Sequence, residues 1–206
     1  MPNELVLYTH PMSRGRVARW MLEEVGAPYR VEIMDYKTTM KAPAYLAINP
    51  MGKVPAIQHN GKVVTENAAI CAYLADAFPE AALAPAPSDR ADYYRWLFFA
   101  AGPLEYAVTN NAFGMKPPAD REAAVGYGNL KTALDTLEYA VTRLPFIAGD
   151  RFTAADLYVG SHLGFGMQFG TIEKRPAFEA YHAKLKDRPA ALRAAALDDA
   201  AMPQQA

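Results

Sequence analysis

Three short stretches of this chain carry side chains whose types and spacing could do chemistry. The first is Tyr8-Thr9-His10-Pro11-Met12-Ser13-Arg14-Gly15-Arg16. It sets a phenol, an imidazole and hydroxyls in one turn ahead of a run with helical periodicity. Ser13 would stand at that helix's N-terminus, where unpaired amides and the helix dipole favour an anion such as a thiolate. A serine there also serves as a plain helix cap. The second stretch is Asn49-Pro50-Met51-Gly52-Lys53-Val54-Pro55-Ala56-Ile57. A proline opening a strand is either trans at a sheet edge, the commoner case, or cis. A cis Val54–Pro55 bond would turn the Val54 amide and carbonyl outward, ready to pair with an extended peptide. The third is Thr65-Glu66-Asn67-Ala68-Ala69-Ile70. There a strand hands over to a helix whose free amides could take a carboxylate, with Glu66 placed to pair with an ammonium group. An ordinary cap with an acidic first turn explains the same letters.

The elements that must position these residues follow from periodicity. Glu4 to Tyr8 reads as a short apolar strand. Val17, Trp20, Met21 and Val25 recur at helical spacing until Gly26 and Pro28 stop the helix. Tyr29, Val31 and Ile33 alternate with charged residues as in a half-buried strand, so the opening is β-α-β with a parallel pair. A short helix is expected around Pro43 to Ala47. Val54 to Gln58 and Lys62 to Val64 flank Asn60-Gly61, the signal of a type I′ hairpin. Ile70, Tyr73, Leu74 and Ala77 then share a helix face. Residues 79 to 89, PEAALAPAPSD, form the best linker in the chain. No convincing strand follows it. A helix from Asp89 to Phe113 should kink at Gly102-Pro103. Leu130, Leu134, Leu137, Val141 and Leu144 predict a helix over Arg121 to Leu144, weakened by Gly126 and Gly128. Thr153 and Asp156 form a capping box, read as structural, with Phe152 and Leu157 placed as a hydrophobic staple. Helices over Pro176 to Lys186 and Pro189 to Leu197 complete the chain. The expected division is residues 1–80, a linker at 81–88, and an all-helical part at 89–206.

Composition narrows the function. The chain has 206 residues, 51 % of them apolar and 21 % charged, with a net charge of −1. No basic stripe is present, so a nucleic-acid partner is not expected. Apolar runs fall far below the roughly 18 residues of a membrane span, and the first ten residues lack the pattern of a signal peptide. One cysteine, Cys71, permits no internal disulfide, and the four histidines are scattered singly. A cytoplasmic, reducing compartment fits, and no bound metal is expected.

The order strand–turn–helix, strand, Val-Pro strand, Asn-Gly hairpin, Glu-Asn helix, proline linker and helical half resembles the cytosolic, bacterial-type glutathione S-transferases over nearly the whole chain. NPMGKVPAI followed by TENAAICAYL is close to the family's NP-x-G-K-VP and E-S pattern. FTAADLYVG resembles its capping box, and YHAKLKDRPA its penultimate helices.

The resemblance implies an α/β thioredoxin-like N-terminal domain joined to an all-α C-terminal domain, working as a homodimer with glutathione as substrate and no metal. Val54, before a cis Pro55, would bind the cysteinyl backbone of glutathione. Glu66 and Asn67 would hold the γ-glutamyl end, Asn67 standing where the family usually has serine. Lys41, Lys53 or Lys37 would meet the glycyl carboxylate. The thiolate's donor is Ser13 in serine-type members and Tyr8 in tyrosine-type members. His10, Thr9 or a backbone amide are further candidates. The cysteine type is disfavoured, because Cys71 lies in the wrong helix. Met12, Tyr106, Asn110 and Phe113 are expected around a small hydrophobic electrophile. Transferase chemistry leads. A glutathione-dependent peroxidase, reductase or isomerase, or a non-catalytic binding protein of the same fold, are the alternatives.

Overall fold

The computed structural model of the chain describes residues 4–202. These form two compact units, one of residues 4–83 with 188–202 and one of Ala84–Asp187.

The first unit is built on a four-stranded sheet of order β2-β1-β3-β4. Strand β1 (Leu5–Thr9) leads into helix α1 (Gly15–Val25), and β2 (Arg30–Ile33) returns parallel to β1. The short helix α2 (Pro43–Leu46) precedes β3 (Ala56–His59), which runs antiparallel to β1 and to β4 (Lys62–Thr65). Asn60 and Gly61 both take positive φ, 51° and 78°, as the primed hairpin turn requires. Helix α3 (Asn67–Ala77) follows.

Strand alternation splits the sheet's two faces. Leu5, Leu7 and Ile57 lie on the face covered by α1 and α3, whose Val17, Met21, Leu22, Ile70 and Leu74 are buried. Tyr8 and Ala56 lie on the other face, packed with Met34, Met40 and Tyr45. Edge strand β2 is only half-covered, and Ile33 is exposed.

Helix α9 (Pro189–Ala200), which the sequence pattern groups with the helical half, packs along α1 instead. The cause is a complementary set of charges on two antiparallel helices. Arg16 meets Asp199 at 2.5 Å, Arg19 meets Asp198 at 2.7 Å, and Glu23 meets Arg193 at 3.0 Å. Just ahead of α9, Arg188 meets Glu24 at 2.7 Å. The Arg19–Asp198 pair is buried. Burial pushes the Asp198 carboxyl upward, and the Arg19 guanidinium opposes that shift.

The second unit is all-helical. Its helices are α4 (Ala91–Phe99), α5 (Glu105–Ala112), α6 (Leu130–Arg143), α7 (Ala154–Phe169) and α8 (Pro176–Lys186). The kink expected at Gly102-Pro103 is a π-helical turn, Ala100–Leu104, joining α4 to α5. The helix expected from Arg121 starts only at Leu130. Residues 119–124 form a 3₁₀ turn, Gly128 takes φ 62°, and the Asn129 side chain caps the amide of Thr132 at 2.9 Å. Two glycines and a cap thus set a boundary that the leucine spacing alone does not show.

Helix α7 lies against α4 and α8, and Gly160 lets Leu185 approach so closely that a Cβ there would sit 2.4 Å from its Cδ1. The capping box at Thr153 and Asp156 is formed, and Phe152 and Leu157 are buried beside it. The fully buried Asp156 carboxylate accepts from the amides of Ile147 and Thr153 and the hydroxyls of Thr153 and Tyr181. It thereby pins the 146–153 loop and α8 to the start of α7.

Removing one member of a buried ion pair strands the other charge, at a cost of about 3–5 kcal/mol. Arg19→Met should therefore lower unfolding stability in urea by about that amount. The double change Arg19→Met with Asp198→Leu should cost less than the single one. A loss in Arg19→Met of under about 1 kcal/mol would mean that the pair does not hold α9 in place.

Candidate active site

The β1–α1 turn is tied at each carbonyl in succession. The His10 carbonyl accepts from Ser13 Oγ at 2.6 Å, the Pro11 carbonyl from Arg16 Nε at 2.6 Å, and the Met12 carbonyl from Tyr36 OH at 2.9 Å. The His10 ring lies 4.5 Å from that of Tyr36, and its Nδ1 accepts the Met12 amide at 3.1 Å. Ser13 Oγ also accepts the Gly15 amide at 2.9 Å. The serine thus sits one residue before α1's cap position, half-buried, with its hydroxyl proton turned to His10. It reaches a ligand by rotating about one bond.

Gly15 is required by space. A Cβ there would lie 1.9 Å from Thr9 Oγ1 and 2.9 Å from Ser13 Oγ. Thr9 is fully buried and its hydroxyl has no partner among the described residues. Tyr8 points the other way. Its ring lies 5.6 Å from Tyr45 on the far face of the sheet, and its hydroxyl donates to Gln58 Oε1 at 3.3 Å.

The second stretch is a preformed edge. The Val54–Pro55 peptide is cis. The paired register of β3 begins only at Ala56, which leaves the Val54 backbone outside the ladder. The Lys53 carbonyl accepts from Tyr45 OH at 2.6 Å and Asn49 Nδ2 at 2.7 Å. Lys41 Nζ donates to the Gly52 carbonyl at 2.7 Å, and Gly52 takes φ 57°. Lys41 and Lys53 therefore flank the same turn, with the Lys53 side chain exposed. Lys37 is exposed on the loop after β2.

At the third stretch, Glu66 takes φ 67° and ψ 120°, a sparsely populated region for a residue with a Cβ. Such backbone strain clusters at functional sites. Its side chain is exposed. Asn67 Nδ2 donates to the Arg14 carbonyl at 3.1 Å, which brings the start of α3 to the start of α1. Asn67 Oδ1 is buried and has no partner among the described residues. The structure thus brings Ser13 and Asn67 together and sets Tyr8 apart. Tyr36 and Gly15 were not picked out from sequence, and Thr9 only as a further candidate donor. The only signal was a glycine placed directly where a helix must start close to a strand.

Met12 is exposed on the first unit. On the second, Tyr106 and Phe113 are exposed, and Asn110 Nδ2 donates to Tyr127 OH at 2.9 Å. Tyr106 and Asn110 line a cavity of about 440 Å³ beside the π-helical turn. Among the described residues, no cluster of three or more His, Cys, Asp or Glu is arranged to hold a metal. Among the described residues, no helix is long and apolar enough to cross a membrane.

Comparison with known proteins agrees with this geometry. The family profile described as glutathione S-transferase, N-terminal domain, matches residues 3–76. A probable glutathione S-transferase of Oryza sativa subsp. japonica is 30 % identical over 194 residues, covering 86 % of this chain and 88 % of its own. The chain belongs to the glutathione S-transferase family. The crystal structure of a glutathione transferase from Methylococcus capsulatus matches this family member with TM-score 0.77 at 31 % identity, covering 95 % of this chain and 99 % of its own. A sphingomonad glutathione S-transferase complexed with glutathione matches with TM-score 0.77 at 30 % identity, covering 94 % and 98 %. The first unit's sheet domain is thioredoxin-like, and the rest of the fold is helical, as the motifs imply.

Within this family the position of the one cysteine matters. Cys71 is fully buried in α3, and burial pushes its thiol up to about 12. It should resist a thiol reagent at pH 8 at least about a hundredfold more strongly in the native protein than in urea, because only the exposed thiolate reacts. Native labelling at the rate of a free thiol would show that α3 does not shield it.

Proposed function

We propose that this chain is a glutathione transferase that holds the tripeptide thiol as a thiolate at the N-terminus of α1 and delivers it to a small hydrophobic electrophile. The observation that carries the reading is the Asn67–Arg14 hydrogen bond, which sets the strained Glu66 and the starts of α1 and α3 around one place. The glutathione in the sphingomonad relative supports the same ligand here. On this reading the Val54 backbone pairs with the cysteinyl residue, and Lys41 or Lys53 meets the glycyl carboxylate. Glu66 takes the γ-glutamyl ammonium. Its carboxylate lies toward the amides that open α3, with Asn67 beside it. Residues 1–80 supply the glutathione half and 89–187 the helices that carry Tyr106, Asn110 and Phe113. The working protein is a cytoplasmic homodimer, since family members pair by two-fold symmetry.

The energetics are sufficient. A thiol near pKa 8.5 is only about 3 % ionised at pH 7, and lowering it by about 2 units takes about 2.7 kcal/mol. One hydrogen bond to a charged group supplies roughly 1.5–3 kcal/mol. The helix terminus adds roughly 0.3–1 kcal/mol. Ser13 can supply the first by turning its proton from the His10 carbonyl to the sulfur, the stronger acceptor. The Gly15 amide donating to Oγ makes that hydroxyl a better donor. Tyr8 would have to give up Gln58 and leave its face of the sheet.

Ultraviolet titration of the bound thiolate tests the assignment. Ser13→Ala should raise the bound thiol's pKa by about 1–2 units and leave affinity nearly intact, and Tyr8→Phe should leave both unchanged. The opposite pattern would transfer the role to Tyr8. Calorimetry tests the other end of the tripeptide. Glu66→Ala with Asn67→Ala should weaken glutathione binding by about 2–4 kcal/mol without moving the thiol pKa much. Unchanged affinity in that double variant would remove the γ-glutamyl assignment.

A further inference from the structure

Met12 is clasped from both sides. Its amide donates to His10 Nδ1 and its carbonyl accepts from Tyr36 OH, and the two rings lie 4.5 Å apart at a tilt of 46°. Strand pairing brings the two loops together. The β1–β2 register ends with Thr9 opposite Ile33, and the Met34 amide donates to the Thr9 carbonyl at 2.8 Å. Residues 10–12 and 35–36 therefore leave the sheet side by side.

The His10 end copies a turn that asparagine or aspartate usually makes. In an Asx turn the side-chain oxygen of one residue accepts the amide two residues on, and a proline between them is favoured. His10-Pro11-Met12 has that spacing, and Nδ1 stands at the same place along the side chain as an asparagine oxygen. An Nδ1 that accepts carries no proton, so the ring is neutral with its hydrogen on Nε2. The Tyr36 end rests on an ordinary Asx turn. The Asp35 carboxylate accepts the amides of Lys37 at 3.0 Å and Thr38 at 2.8 Å and the Thr38 hydroxyl at 2.8 Å. The Asp35 amide donates to Thr39 Oγ1 at 2.7 Å. Tyr36 thus projects from a fixed loop. Met12 directly precedes Ser13, whose hydroxyl donates back to the His10 carbonyl. His10 therefore ties Met12 through its ring and Ser13 through its backbone.

We propose that His10 and Tyr36 are positioning residues that fix the Met12–Ser13 peptide, and with it the Ser13 hydroxyl, ahead of glutathione. They act through Met12 and Ser13 and not on the sulfur itself. The functional half of the proposal rests on the transferase reading, whereas the clasp is a property of the free protein.

Two measurements test it. The first needs no ligand. At pH 8, above the ordinary imidazole range, nitrogen-15 NMR should show His10 with a bare Nδ1 and a protonated Nε2. The Met12 amide should exchange at least about fivefold faster in His10→Leu than in the wild type, and His10→Asn should restore slow exchange. The second is ultraviolet titration of bound glutathione. The thiolate midpoint should rise by about 0.5–1 unit in His10→Leu and in Tyr36→Phe and stay within about 0.2 unit in His10→Asn, with affinity within about twofold throughout. Asparagine restores the acceptor and nothing else of the ring, so its rescue separates positioning from packing and from donation by Nε2. Tyr36→Phe removes one oxygen and keeps its ring, so it tests the clasp even where His10→Leu does not fold. A proton on Nδ1, a His10→Asn variant as impaired as His10→Leu, or a wild-type thiolate midpoint in Tyr36→Phe would each overturn the proposal. A wild type that binds no glutathione would overturn the transferase reading and the functional half with it, while the exchange result still decides the clasp.

Discussion

The packing of Gly15 against Thr9 is the constraint on which the first unit depends. With no Cβ, α1 can begin directly against the end of β1, where a methyl group would lie 1.9 Å from the threonine hydroxyl. That close approach places the Gly15 amide on Ser13 Oγ and lets Ser13 reach back to the His10 carbonyl. The helix is then held along its length by other means. Asn67 grips the Arg14 carbonyl at its start, and the ion pairs to α9 hold its outer side. Moving the first residue of α1 outward by an ångström would stretch all of these contacts together. The Ser13 hydroxyl is thus placed by the backbone as well as by its own rotamer.

The polar groups around the site follow a consistent division. Carbonyls that could compete for a ligand's donors are already occupied. Those of His10, Pro11, Met12, Gly52 and Lys53 each accept a side-chain donor. What has no such donor is the Val54 backbone beyond the ladder and, among the described residues, the buried Asn67 Oδ1 at the start of α3. A buried acceptor without a partner costs about 1–3 kcal/mol, and Glu66 holds a costly backbone angle next to it. A fold tolerates two such expenses in adjacent residues when a ligand relieves them.

Local rules made most of the fold legible. Apolar periodicity marked β1 and α1, Asn60-Gly61 marked the hairpin, and Thr153-Asp156 marked the start of α7 at the residue where it begins. Misplaced elements failed for non-local or compensating reasons. Leucine spacing carried the expected α6 helix back to Arg121, but Gly128 and the Asn129 cap decide where a helix can begin. Helix α9 looked like one more amphipathic helix. Its place on α1 is fixed by charges some 170 residues away in sequence, and no window of sequence contains both partners. In the candidate site, the motif letters singled out Ser13, Val54, Glu66 and Asn67. They could not show that the Ser13 proton rests on a carbonyl, or that Tyr36 fastens Met12, because each is a matter of rotamer and loop path.

Asn67 is where letters and geometry bear most directly on each other. The family's usual serine at this place carries one hydroxyl on a single-bond reach. Asparagine is longer by one heavy atom and divides donor from acceptor. Its Nδ2 spans to the Arg14 carbonyl, while its Oδ1 stays buried and unused. A serine hydroxyl could donate to that carbonyl or to a ligand, but its single proton cannot serve both. The asparagine therefore couples the two helix starts and still keeps an N–H to donate. Only one of its two amide hydrogens goes to the Arg14 carbonyl, and the other remains a donor. On the proposed reading the γ-glutamyl carboxylate meets the α3 backbone amides and that second hydrogen, so one side chain serves the tripeptide's end while it ties α3 to α1.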